Sequence, residues 1–405
     1  MLYKIRNIIE QQEIENNQVN IFRAFSMKWV KNVIDFCEKH PILLVILKKI
    51  PKSIIYFISQ GMTSLVVSDK NFSGPVYDTI DEILGENIVR KYGKKRKDFI
   101  VSEIIYQNIL QSMIFFFDVL LFCPYFAHYR DFERYYEVEG IEYLDNALKK
   151  GNGAILLTAH ISNYLFLILY FSLKGYKVNV IMGVNAFLSV LEPLRKCNFK
   201  IIPNTPFNSK KVKKIIKNKI DNALNKNEIV VILQDTAFNH YTLIEFFDKL
   251  CYTPVGTISL AEKHDSPIIP AFIRSSLTED YHKITVYPEF PLKKIASNNR
   301  KEFLLFNTYR LNKFLERIIK RRFVFWGNIA LHHLRKRFTK VSEESTEEPI
   351  LNIMIDKIKF YKKYLLKSYE PKRNDKIIEK LLDSSYDKLL KLQEIQKSFQ
   401  MKSKT

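Results

Sequence analysis

Three short apolar runs end in side chains able to move protons or grip anions. His160 stands two residues after GAILLT (Gly153–Thr158), Gln234 and Asp235 follow EIVVIL (Glu228–Leu233), and Arg274 closes PIIPAFI (Pro267–Ile273). A histidine so placed can act as a general base, because its ordinary pKa lies near neutrality. It would take the proton of a hydroxyl attacking a carbonyl. The plainer alternative is a structural histidine capping the following helix. Asp235 can serve as the carboxylate beside that base, or cap its own turn. Arg274 can meet a phosphate, whose oxygens match the guanidinium fork, or form an ion pair at a sheet edge.

For these groups to meet, the runs that carry them must lie side by side. Between residues 130 and 290 strand-length apolar runs alternate with helical patterns. Ala159–Leu173, Ala186–Cys197, Ser209–Asn225 and Pro254–His264 read as helices. Lys177–Val184, Phe199–Pro203 and the alternating Tyr281–Tyr287 add strands to the three above. The pattern predicts an α/β fold: a mostly parallel central sheet flanked by helices. Ligands of such sheets bind beyond the carboxyl ends of the strands, where His160, Gln234, Asp235 and Arg274 fall. Residues 1–125 read as a helical region, expected to lie at a membrane interface. The α/β domain is expected over 126–340, closing on a basic helix and the segment RRFVFWGNIALHHLRKRF. A charged linker and a helical extension are expected over 341–405.

Of 405 residues, 47% are hydrophobic, enough for a sizeable core. The formal net charge of +21 suits a polyanionic partner, whether nucleic acid, an anionic membrane surface or an acidic substrate, or reflects a general bias toward lysine. No zinc-finger, helix-turn-helix or RNA-binding pattern accompanies the charge, which argues against nucleic acid. The lysines from Lys210 to Lys219 could face anionic headgroups or simply solvent. Cys37, Cys123, Cys197 and Cys251 are scattered without CxxC pairing, so neither a disulfide framework nor a metal site is expected, and a reducing cytosol fits. A membrane span needs about 20 apolar residues. Pro41–Leu47 and Met113–Ala127 fall short, the latter holding Asp118 and Pro124, and read as buried or interfacial helices.

The stretch EVEGIEYLDNALKKGNGAILLTAHISNY (Glu137–Tyr164) resembles the bacterial lipid A biosynthesis acyltransferases, a family related to the lysophospholipid acyltransferases. Gly140, Glu142, Leu144, Ala147, Leu148, Gly151, Gly153, His160 and Asn163 stand in register with that family's lead-in and its H-x-G-N-W-E motif. Ser162 replaces the motif's Gly and Tyr164 its Trp. A second block resembles the family at Phe246, Phe247, Thr253, Pro254, Gly256, Leu260, Ala261, Pro267, Pro270, Phe272 and Arg274. Trp326 with His332 or His333 gives a weaker likeness to the closing W-x-W-x-H-R-R.

The resemblance implies transfer of a fatty acyl group from an acyl carrier protein or coenzyme A thioester to a hydroxyl of a membrane glycolipid or lysophospholipid. It implies no metal and no bound organic cofactor, and a place on the cytoplasmic face of the inner membrane. His160 would be the base of the family's H-x4-D/E dyad. The acid position holds Leu165. Asp235 could then serve instead, His160 could work alone, or catalysis could be lost and lipid binding kept. Gln234–Asp235 inverts the family's Asp–Gln order. Asn163, Arg195, Gln234 and Arg274 are the expected substrate contacts. Arg195 would bind a phosphate or help hold the carbonyl, or lie solvated on its helix.

Overall fold

A computed structural model gives the structure of residues 51–68, 70–121, 132–183, 199–204, 210–235, 241–247, 249–294 and 300–327. Pro41–Leu47, Ala186–Cys197 with Arg195, His332, His333 and the extension from 341 lie outside these described residues. Three helices lead the chain: α1 (Lys52–Ser68), α2 (Lys70–Tyr92) and α3 (Lys97–Leu121). There follow β1 (Tyr136–Glu139), α4 (Ile141–Leu148), β2 (Ala154–Thr158), α5 (Tyr164–Leu173), β3 (Val178–Gly183) and β4 (Lys200–Asn204). Then come α6 (Lys210–Asn225), β5 (Ile229–Leu233), the hairpin β6 (Tyr241–Phe246) and β7 (Lys249–Pro254), α7 (Gly256–His264), β8 (Ile268–Ser275), β9 (His282–Val286) and α8 (Arg300–Arg321).

Seven strands form one sheet in the order β1-β9-β8-β2-β5-β3-β4. Each neighbouring pair is parallel except β8 with β9. All five β2 residues are buried, as a strand covered on both faces requires, and this is why GAILLT shows no alternation. Helix α5 is buried from Leu165 through Ser172, so its sequence is apolar on every side. Helix α6 instead buries Ile220, Ala223 and Leu224 and leaves Lys214, Lys217 and Lys219 exposed. Gly153 enters β2 at φ +63°, where an added Cβ would meet the carbonyl oxygens of Leu224 and Glu228 at 2.8 Å. Only glycine fits that approach without strain.

The sequence pattern missed β1 and the β6–β7 hairpin, and it assigned Pro254 to a helix that begins at Gly256. The leading helices are not a separate layer. Val76, Ile80, Ile105 and Ile109 share one buried cluster with Leu157, Phe272, Leu315 and Trp326. Helix α3 therefore packs into the core that carries His160. Among the described residues no helix is long and apolar enough to cross a membrane.

Candidate active site

The parallel register aligns Thr158 of β2 with Leu233 of β5. Two residues beyond each paired end stand His160 and Asp235, so adjacent strands deliver both side chains to the same place. His160 Nδ1 lies 2.8 Å from Asp235 Oδ1. The His160 backbone N–H donates to Asp235 Oδ2 at 3.0 Å, and Trp326 Nε1 donates to the same oxygen at 2.9 Å. The Asp235 side chain is wholly buried, whereas that of His160 keeps 23% of its exposure. Burial pushes the Asp235 carboxyl up, but the His160 charge and the donated hydrogen bonds outweigh it, and its pKa lies below the usual value. The acid is hidden and ionised, and the base is reachable.

The loop after β2 is clamped by the segment that follows α8. Ile161 forms an antiparallel bridge with Trp326. Ser162 N–H donates to the Phe325 carbonyl at 2.7 Å, and Gly327 N–H to that of His160 at 2.6 Å. Asn108 of α3 secures the clamp by donating to the Val324 and Trp326 carbonyls, both at 2.9 Å. Ser162 sits at φ +52°. Glycine is the residue best suited to this left-handed turn. In this chain the serine Oγ accepts the Ser275 N–H at 3.0 Å, tying the loop to the end of β8.

Beside His160 opens a pocket of about 160 Å³ lined by Asn108, Gln111, Ser112 and Phe115 of α3, with Tyr164 and Phe325 among the facing residues. The Tyr164 ring meets His160 edge-on at 4.8 Å and stacks on Phe115 at 5.5 Å. Burial, then the charge of Asp235, raise the Tyr164 hydroxyl's pKa, so it stays neutral.

The other expected site residues have different surroundings. Asn163 is fully buried and donates to Asp118 Oδ2 at 3.2 Å. Asp118 also meets the buried Lys52 ammonium at 3.3 Å, so Asn163 links the His160 loop to α1 and α3. Gln234 is buried too: it donates to the Pro254 carbonyl at 2.8 Å and accepts from Thr257 Oγ1 at 2.6 Å. Both ends of its amide are engaged, which makes it a brace between β5, the hairpin and α7. Arg274 is exposed near the end of β8, paired in register with Lys283, and does not line the pocket. Arg195 lies outside the described residues. Leu165 is 2% exposed within the apolar cluster of α5, β2 and α4. Sequence reasoning noted Tyr164 only as the replacement of a motif Trp, and it missed Gln111 and the clamp residue Asn108. Their signal was only an amide interrupting apolar helical stretches.

A model of the family described as bacterial lipid A biosynthesis acyltransferase matches residues 40–337, well over half of the chain. A search of curated proteins finds no match.

Proposed function

Because this chain belongs to the bacterial lipid A biosynthesis acyltransferase family, and is thereby an acyltransferase acting on lipid substrates, we propose that it moves a fatty acyl group from an acyl carrier protein or coenzyme A thioester to a hydroxyl of a membrane glycolipid or lysophospholipid. The observation that carries the catalytic reading is the 2.8 Å contact of His160 Nδ1 with Asp235. Asp235 supplies the carboxylate that Leu165 does not. It holds the proton on Nδ1 and steadies the imidazolium that forms, as the acid of a hydrolase triad does.

His160 Nε2 takes the acceptor hydroxyl's proton as the oxygen attacks the thioester carbonyl. The tetrahedral intermediate collapses, the C–S bond breaks, and the proton passes from the imidazolium to the departing thiolate. An ester and a free thiol result. Arg274, outside the pocket, is available to an acceptor phosphate.

The leading helices support docking on the cytoplasmic face of the inner membrane. Ile54, Phe57, Ile58 and Leu65 recur at helical spacing on α1 and are exposed, Phe57 to 74% and Leu65 to 77%. An exposed apolar stripe on a chain of net charge +21 fits an anionic lipid surface.

The test is acyl transfer to a panel of glycolipid and lysophospholipid acceptors, with His160→Ala as control. Transfer abolished by the substitution supports the reading. No transfer from any donor, with binding to anionic vesicles retained, favours a lipid-binding relative that has lost catalysis, the alternative that Leu165 raises. Failure of the wild-type chain to bind anionic vesicles refutes the docking assignment.

A further inference from the structure

Resting on the acyl-transfer reading, we propose that Gln111 is a catalytic residue that donates a hydrogen bond to the oxygen of the thioester carbonyl as it becomes an oxyanion. Gln111 lies on the pocket face of α3, beside the space His160 opens on, and is 5% exposed. Its Oε1 is buried and finds no hydrogen-bond partner. A buried amide left unpaired is costly, and most folded proteins avoid one. On the wall of the pocket that His160 also lines, it is a group kept for a ligand.

The neighbouring polar groups have internal tasks. Asn108 Nδ2 holds the Trp326 clamp and Ser112 Oγ donates to the Asn108 carbonyl at 2.9 Å, while Ser162 Oγ accepts from Ser275 and keeps its own O–H, on the loop rather than on α3. The backbone N–H groups of Ile161, Ser162 and Gly327 are spent on the carbonyls of Ala159, Phe325 and His160. No lysine or arginine is among the described residues lining the pocket. The charge that develops on the thioester oxygen therefore needs a neutral donor. A glutamine can provide one, because a half-turn of its amide exchanges acceptor for donor without moving the rest of the side chain.

The test uses the full chain with lauroyl- and palmitoyl-coenzyme A and the matching acyl carrier protein thioesters, following thiol release in the presence of the acceptor panel. Gln111→Leu removes the donor and the orphaned carbonyl together. We expect kcat to fall about 100- to 1,000-fold, the range for loss of one oxyanion donor, with KM little changed. The melting temperature should hold or rise, which a merely structural glutamine would not allow. Gln111→Glu sets a carboxylate against the oxyanion and should fall as far. Lys219→Ala, on the exposed side of α6 and away from the pocket, should keep kcat within a few-fold. Gln111→Leu within threefold of wild type, activity and melting temperature falling together, or Lys219→Ala falling as far as Gln111→Leu would each overturn the assignment. A wild-type chain that transfers from no thioester would overturn the acyl-transfer reading and this one with it; an active wild type with an unaffected Gln111→Leu would overturn only this one.

Discussion

Replacing Asp235 by Asn keeps the shape of the buried side chain and removes its charge. The contacts of the Asp235 oxygens include His160 N–H and Trp326 Nε1 at Oδ2, and His160 Nδ1 at Oδ1. An asparagine keeps both donors satisfied only if its oxygen occupies the Oδ2 position. Its NH2 group then faces Nδ1, which has to become the acceptor. The ring is driven into the opposite tautomer, with the proton on Nε2, and cannot take a second proton from the attacking hydroxyl. In a hydrolase triad this inversion costs a factor of about 10⁴, or about 5 kcal/mol of transition-state stabilisation. We expect kcat to fall about 10³- to 10⁴-fold while the fold survives, since no buried donor is orphaned. Asp235→Ala would strand the His160 and Trp326 N–H groups, and the Nδ1 proton with them, and lose about 1–3 kcal/mol of stability for each that stays buried. Initial rates and thermal unfolding of the two variants separate chemistry from folding. A folded Asp235→Asn protein keeping a tenth of wild-type turnover would refute the view that Asp235 does the work of the missing dyad acid.

Two further outcomes follow from the same geometry. Leu165→Glu restores the family's acid on paper, yet the position lies in the apolar cluster of α5. Activity should not rise and stability should drop by about 3 kcal/mol or more, because the substitution loses apolar burial and buries a carboxyl; faster turnover would contradict this. The second concerns Asp118, whose pKa burial pushes up from 3.8 to about 6, against the lowering effects of Lys52 and Asn163. The folded carboxyl holds its proton more tightly than the unfolded one, so this group's contribution to stability is largest near pH 4 and falls as pH rises to about 6. Asp118→Asn lacks that loss. The stability difference, wild type minus variant, should fall by roughly 3 kcal/mol across the window. Buried His282, held well below its ordinary pKa by burial and then by Lys52, titrates in the opposite sense. Its effect cancels in the difference so long as both proteins keep that environment. Denaturant titrations at several pH values check this, and a flat difference would be fatal to it.

The parts of the fold legible in the sequence were those whose burial is uniform or strictly periodic. β2, β5 and β8 read as strands because both their faces are covered, and α6 read as a helix because lysines line one side of an apolar stripe. β1 and the β6–β7 hairpin were hidden for the opposite reason. YEVE has charges on its open face, and FFDKLCY contains the hairpin's turn inside an apolar run, so neither shows a clean period. At the site, His160 and Asp235 could be nominated from strand ends. Their contact could not be read, because it depends on which strand neighbours which and in what register. Gln234 was read as a ligand residue for the same positional reason, yet in the turn beyond β5 the two adjacent side chains go to different partners. It braces Pro254 and Thr257 while Asp235 meets His160. Gln111 was invisible because the sequence does not show which face of α3 lines the pocket.

Position 165 and Asp235 reach toward His160 from different elements, the first turn of α5 and the end of β5. An acid five residues after the histidine must reach back from the first turn of α5. Asp235 approaches from the neighbouring strand, and the parallel register brings it opposite the histidine whatever residue stands at 165. The clamp adds a condition. Trp326 Nε1 and the His160 N–H fill one carboxylate oxygen, which leaves the other for Nδ1. The carboxylate is thus oriented by groups that do not move in the reaction. With a carboxylate held in this way at the end of β5, position 165 lies in the apolar cluster of α5. A leucine there gives α5 one more buried apolar side chain and spares the core an unneeded charge.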